Sequence, residues 1–223
     1  MKPTELNESL GLINATFGTL VEALEYASVG ETGCNFYDGR GELYATVSYA
    51  ELKAEAKLLA SKLLSLNLKR GARVALVAET HPMFHRFFFA CQYAGLIPVA
   101  LPAGLQVGAR SAYVEQLERM LDSCGADVAV APDSHIGFLR QAVERLDSIK
   151  CGTPEEFDGL PLSGEELQPL ARDEIAYLQY TSGSTRFPRG VEITQKCVMS
   201  NLRDISIDGL RIDENDRMVS WLP

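Results

Sequence analysis

Two hydrophobic periods alternate along this chain, and that alternation limits the folds open to it. Short, almost wholly apolar runs, such as Arg73 to Ala78 (RVALVA) and residues 96–102 (LIPVALP), are separated by segments of 12–18 residues with helical spacing. A run that is apolar at nearly every position suits a strand buried on both faces, and an i, i+3, i+4 pattern suits a helix lying on that sheet. Strands that recur with helices between them need crossover connections. The expected class is therefore α/β, a mostly parallel sheet flanked by helices.

The individual segments fit that scheme. Residues 16–29 (TFGTLVEALEYASV) put Phe17, Leu20, Val21 and Leu24 on one helical face, with Thr16 or Gly18–Thr19 as the cap. Residues 34–49 read as a hairpin turning at Asp38-Gly39-Arg40-Gly41. Residues 48–68 predict an amphipathic helix that aligns Leu52, Ala56, Leu59, Leu63 and Leu66 behind an N-cap at Ser48. Further helices are expected from Pro82, stopping at Gly95, over residues 109–126, and over 134–146 with Ser134 as the cap. Residues 148–172 are rich in Gly, Pro and acids; they read as a surface connection with one short strand or turn, and as the only candidate internal boundary. Beyond them come a strand, a loop, a second strand from about residue 189, a helix over 194–206 and a last strand over 216–223.

Composition narrows the function classes. The 223 residues are 46% hydrophobic and 23% charged, ordinary values for a folded domain, and the net charge is −9. Nucleic acid and anionic membrane surfaces call for a basic face, so neither is an expected partner. Cys34, Cys91, Cys124, Cys151 and Cys197 are scattered and have no CxxC spacing, which argues against a disulfide framework or zinc site and for small core residues in a reducing compartment. No secretory h-region and no run of about 18 apolar residues occurs, so no membrane span is expected and the cytoplasm is the natural location.

The chemistry concentrates in Tyr177 to Thr194 (YLQYTSGSTRFPRGVEIT). Thr181, Ser182, Gly183, Ser184 and Thr185 combine little bulk with four hydroxyls, so backbone N–H groups and side chains alike can approach an anion. Arg186 and Arg189 add charge-assisted donors, Pro188 stiffens the far side, and Gly190 permits a tight return into a strand. Neither GxxxxGK[ST] nor GxGxxG is present, and the loop joins two strands rather than opening a helix, so little help from a helix dipole is expected. Such a cluster on its own most often serves only as a turn.

The whole string, YTSGSTRFPRGVEIT, resembles the signature loop of the adenylate-forming, AMP-binding enzymes, whose usual form is YTSGSTGxPKGV. This superfamily includes acyl-CoA synthetases, peptide-synthetase adenylation domains and luciferase. Upstream, residues 47–63 (VSYAELKAEAKLLASKL) and 87–104 (FFFACQYAGLIPVALPAG) resemble two further family motifs in the expected order, and the terminal SWLP resembles the start of the next one. The resemblance spans essentially the whole chain and implies the N-terminal portion of the adenylation domain. Arg186 stands where the family usually has glycine and Arg189 where it has lysine. In this the loop is most similar to that of fatty-acyl-AMP ligases, which pass the acyl group to an acyl-carrier protein rather than to coenzyme A.

By that resemblance, the reaction is ATP-dependent activation of a fatty or other carboxylic acid to an acyl-adenylate, with Mg²⁺ neutralising charge. Thr181, Ser182, Gly183, Ser184, Thr185, Arg186 and Arg189 would hold the ATP phosphates. The family's adenine and ribose contacts and its C-terminal domain with a catalytic lysine would lie beyond residue 223, so no catalytic residue is assigned here and this portion alone is expected to be inactive. Alternatives are an acyl-CoA ligase, a peptide-synthetase adenylation domain, or a non-catalytic nucleotide-binding relative in which Arg186 and Arg189 have ended turnover. His81 and His85 have a helical metal spacing but no evident third ligand, so a structural or pocket-lining role is the simpler expectation, and no metal site is assigned. Phe84, Phe87, Phe88 and Phe89 read as core, and Trp221 as core or pocket floor.

Overall fold

The computed structural model describes residues 10–13, 16–104, 110–146, 148–181, 188–213 and 215–220. Its largest element is a six-stranded sheet built from β3 (Arg73–Ala78), β4 (Ile97–Pro102), β5 (Ala126–Val130), β6 (Lys150–Gly152), β7 (Ile175–Tyr180) and β8 (Gly190–Thr194). The order is β6-β5-β3-β4-β7-β8, and every neighbouring pair is parallel except β7 and β8. A separate antiparallel hairpin pairs β1 (Gly33–Tyr37) with β2 (Leu43–Ser48). The expected α/β class with a mostly parallel sheet is borne out.

The continuous apolar runs explain how the sheet is covered. Successive strand residues point to opposite faces. On β3, Val74 and Leu76 join the core beneath α1 (Leu20–Ala27), α2 (Tyr49–Leu64) and α3 (Pro82–Ala94). Ala75 and Val77 join the core beneath α4 (Arg110–Cys124) and α5 (Asp133–Val143). The central strands are thus sandwiched between helices and have no polar face. A third, smaller cluster, Ala176, Val198 and Met199, seats α7 (Gln195–Asp204) on β7, with Phe17, Leu20, Tyr177 and Ile193 packed around it.

Several helix ends form where local chemistry places them. Ser48 and Glu51 make a reciprocal capping box at the start of α2. Thr19 caps α1. Gly95 ends α3 in the left-handed region at φ 71°, where a Cβ would also lie 2.4 Å from the Arg70 guanidinium, so only glycine fits. Leu52, Ala56, Leu59 and Leu63 are buried in line as expected.

Five expectations need correction. Leu66 lies beyond the end of α2, which stops at Leu64, yet it still packs on the same core. Phe17 precedes α1 because the cap falls at Thr19. Ser134 does not cap α5: the N-cap is Pro132, and the Ser134 hydroxyl is turned to Glu79 instead. Residues 148–172 contain the short strand that was expected there, β6, and in addition a short helix that was not. β6 pairs with β5, and α6 (Pro154–Asp158), with its Thr153–Glu156 capping box, buries Phe157 edge-on against Phe87. The last strand, expected over 216–223, is absent from residues 216–220, where Met218 and Val219 are exposed and have no neighbouring strand to pair with; Trp221 to Pro223 lie outside the described residues.

Two polar networks tie the helical layer together. Glu25 on α1 accepts from Lys57 at 2.8 Å and from the Tyr93 hydroxyl at 2.8 Å, with Lys53 at 3.2 Å. Partial burial opposes its ionisation, but the bonds from Lys57, Tyr93 and Lys53 outweigh that and hold its pKa at about 2. In the second network, fully buried Gln92 donates to the Ala176 carbonyl at 2.6 Å and accepts from Gln195, also fully buried, at 2.6 Å. Gln195 in turn accepts from the Leu20 amide at 3.0 Å.

The Glu25 carboxyl has a folded pKa below its ordinary value of 4.5, so its contribution is present above that value and is lost as pH falls towards about 2. Urea midpoints of Glu25→Gln and the unchanged protein should therefore differ most near neutral pH and converge as the solution is acidified through that window. Gln92→Leu should destabilise by about 2 kcal/mol or more, because each buried group left unpaired costs about 1–3 kcal/mol. Chemical denaturation of the variant measures this directly.

Candidate functional site

The loop singled out from the sequence joins the two antiparallel strands at the edge of the sheet. β7 and β8 pair from Ile175↔Thr194 to Tyr180↔Gly190, and the Thr181 amide donates to the Arg189 carbonyl at 3.0 Å. Thr181 and Arg189 are therefore brought together at the base of the loop. The Thr181 amide is consumed by this closure, and its hydroxyl has no partner among the described residues. Arg189 is exposed and has no side-chain hydrogen bond or ion pair among the described residues. Ser182, Gly183, Ser184, Thr185 and Arg186 lie outside the described residues.

Gly190 is required by close approach rather than by a left-handed backbone. A Cβ there would sit 2.6 Å from Cδ2 of the buried Leu178. Tyr180, just before the loop, anchors β7 to α4: its hydroxyl donates to the Met120 carbonyl at 2.6 Å and meets the Ser123 hydroxyl. Burial raises the Tyr180 pKa to about 12, partly offset by the Ser123 bond, so the hydroxyl keeps its proton near neutrality. Beneath the loop base, on the α4 side, runs an open groove of about 820 Å³ lined by Arg73, Ser123, Tyr180, Arg189 and Glu192 among others. Arg73 reaches Glu192 at 3.5 Å.

The loop stands at the carboxyl edge of the parallel strands. β4 follows β3 on one side, and the chain then returns to place β5 on the other side of β3. Open α/β sheets bind ligands at the carboxyl ends of strands around such a reversal. Here that edge carries a polar lock. Glu79, after β3, lies 2.8 Å from both the Ser134 hydroxyl and His135 Nδ1, and His135 Nε2 lies 2.7 Å from the Ala103 carbonyl. Strands β3, β4 and β5 are thus cross-linked just past their ends.

His81 and His85 do not converge on a common ligand. His81 Nδ1 accepts from the Met83 amide and caps α3, and its ring stacks near Tyr44. His85 packs edge-on against Phe36 and Phe84, and burial lowers its pKa. Among the described residues, no group of three or more His, Cys, Asp or Glu side chains could hold a metal ion. Phe87 is fully buried, Phe84 and Phe89 pack against the same core, and Phe88 lies against Tyr177. The sequence reading missed the anchoring by Tyr180 and the lock at Glu79, Ser134 and His135. The position of an aromatic directly before the loop was a signal for the first. The second joins residues 55 apart and had no local signal.

Comparison with known proteins agrees with the geometry. The family model described as AMP-binding enzyme matches residues 32–223. A Caulobacter vibrioides protein assigned provisionally as an acyl-CoA synthetase is 40% identical over 213 residues, covering 94% of this chain and 36% of that protein. The long-chain-fatty-acid–AMP ligase FadD32 of Mycolicibacterium smegmatis is 30% identical over 181 residues, covering 79% of this chain and 28% of its own length. A solved structure from a study of fatty acyl-adenylate ligases of E. coli and L. pneumophila superposes with a TM-score of 0.91 at 46% identity, covering 95% of this chain and 38% of the other. The chain thus spans roughly a third of the length of these relatives, and no helix among the described residues is long and apolar enough to cross a membrane. With a match over residues 32–223 and a sheet that carries the signature loop on its edge hairpin, the chain belongs to the AMP-binding enzyme family.

Proposed function

We propose that this chain supplies the phosphate-holding part of an enzyme that activates a fatty acid with ATP, forming an acyl-adenylate for transfer to an acyl-carrier protein. The observation that carries the reading is the β7–β8 hairpin. It presents the Thr181–Arg189 loop at the edge of the sheet, and Arg189 there has no competing carboxylate among the described residues. The relatives extend well beyond the stretch they share with this chain, so the activity is proposed for an enzyme of their length.

In this reading the carboxylate oxygen attacks the α-phosphorus of ATP, the bond to the bridging oxygen breaks, and pyrophosphate leaves. The hydroxyls of Thr181, Ser182, Ser184 and Thr185 hold the β- and γ-phosphates. Arg186 and Arg189 stabilise the charge that builds on the departing group. Holding the leaving group in line with the attacking oxygen is the loop's contribution, and it acts through positioning rather than through proton transfer. Mg²⁺ fits this arrangement as an ion that arrives with the nucleotide phosphates, which needs no preformed cage of protein carboxylates.

Transfer to a carrier protein is supported by Arg186 and Arg189, where the family usually has glycine and lysine, and by the likeness to a protein named as a fatty-acid–AMP ligase. A second reading, transfer to coenzyme A, is favoured by the Caulobacter relative of higher identity. In both readings the enzyme works in the cytoplasm.

In the complete enzyme, Ser184→Ala combined with Thr185→Ala should lower fatty-acid-dependent ATP–pyrophosphate exchange at least about tenfold, given that charged hydrogen bonds contribute about 1.5–3 kcal/mol each. The melting temperature should stay within about a degree or two, because exposed loop hydroxyls contribute little to stability. Undiminished exchange would reduce the loop to a turn. For the acceptor, the enzyme is given fatty acid and ATP with either a phosphopantetheinylated carrier protein or free coenzyme A. Thioester should accumulate on the carrier, and efficient acyl-CoA formation would replace the first reading with the second.

A further inference from the structure

We propose that a second anion site, separate from the loop, lies between the segment before α1 and helix α7, and that it takes a small phosphate monoester or free phosphate. A pocket of about 270 Å³ opens there, with Arg172, Lys196 and Arg203 on its walls. Ser200 adds a hydroxyl, and Phe17 and Met199 add an apolar side. Among the described residues no acidic side chain lines the pocket, and the Glu22 carboxylate beside it is held by the Gly18 amide at 2.7 Å. None of the three cations has an ion pair or side-chain hydrogen bond among the described residues. Arg70, Arg86, Arg140 and Arg145 elsewhere each hold a carboxylate within 3.1 Å, whereas the three cations of the pocket share one wall and remain available to an anion from solution.

The walls are tied together by hydrogen bonds between distant segments. The Lys196 amide donates to the Arg172 carbonyl at 3.0 Å, which joins α7 to the segment before β7. Gln195, fully buried, accepts from the Leu20 amide at 3.0 Å, which joins α7 to α1. The cations are therefore gathered by the fold, so a ligand does not have to order the backbone to reach them.

The ligand class follows from the side chains. Two guanidinium forks match the oxygens of a tetrahedral anion, and three positive charges suit a dianion better than a single carboxylate. The Ser200 hydroxyl can donate to a further oxygen. The pocket is near the lower end of the range for small-molecule sites, which starts at about 300 Å³, so it suits a phosphate bearing a small organic group whose body rests on Phe17 and Met199. It is not the loop: β8 runs from Gly190, at the loop, to Thr194, the cap of α7, a span of about 13 Å at roughly 3.3 Å per residue. An occupant bridging Arg172 and α7 would hold both feet of the β7–β8 hairpin.

Isothermal titration calorimetry of the full chain with phenyl phosphate and with inorganic phosphate tests the site. Arg189→Gln removes one of the loop's two guanidinium groups, so binding that persists in that background and falls when Arg172 and Arg203 are changed reports the second site. Saturable binding is expected there, weakening with added salt and at least about tenfold weaker in Arg172→Gln/Arg203→Gln. Lys69→Gln/Lys150→Gln, a matched loss of two charges at exposed positions elsewhere, should bind as before. Tighter binding of phenyl phosphate than of inorganic phosphate identifies a monoester as the occupant, and equal binding identifies free phosphate. No saturable binding in the Arg189→Gln background would overturn the proposal, as would unchanged affinity in the double variant. Should that variant melt at a lower temperature, Ser200→Glu replaces it: it sets a carboxylate at an exposed position in the pocket and should abolish binding with the fold intact.

Discussion

Gln92, on α3, turns its side chain into an otherwise apolar layer, and its amide fixes where strand β7 and helix α7 stand. It donates to the carbonyl of Ala176 on β7 and accepts from Gln195 at the start of α7, while its own carbonyl accepts from Leu170 in the segment leading to β7. Strand β7, helix α7 and their approach segment are thereby docked on one helix. A buried amide left without partners is costly, so this network has few alternatives and sets a register. The β7–β8 hairpin takes its position from it, and the loop takes its position from the hairpin.

Ion pairs reinforce the same region from outside. Arg70 holds Glu174 with two guanidinium nitrogens and also donates to the Gln168 and Pro169 carbonyls, bracketing the chain just before β7. The Arg70 bond is the main reason the Glu174 carboxyl lies below its usual pKa. On the other face of the sheet, Tyr180 is tied to α4. The strand that leads to the loop is thus held at both ends, by an ion pair where it begins and by a half-buried phenol where it finishes. For the phosphate-holding role proposed above, such a fixed base matters because positioning is what the loop would contribute.

Much of this was legible in local sequence. The α/β class, the capping box at Ser48, the stop at Gly95 and the hairpin nature of the loop all follow from short-range pattern, because caps, turns and hydrophobic periods act over a few residues. Ser134 was misread for the same reason. As a Ser before an amphipathic run it is a good cap by local rules, but Glu79, 55 residues away, draws its hydroxyl off. Residues 148–172 look like a connection because their strand is only three residues long, too short to carry a period. Its place beside β5 is decided by pairing.

The sequence by itself determined the family, through the signature string from Tyr180 to Thr194, and gave the loop a composition of small residues, hydroxyls and arginines that suits an anion. Only the tertiary structure decided the mounting. It closed Thr181 onto Arg189, made Gly190 obligatory through contact with Leu178, and gathered Arg172, Lys196 and Arg203 around one pocket. Those outcomes depend on which distant segments share a hydrogen bond or a van der Waals surface, and no period or cap encodes that.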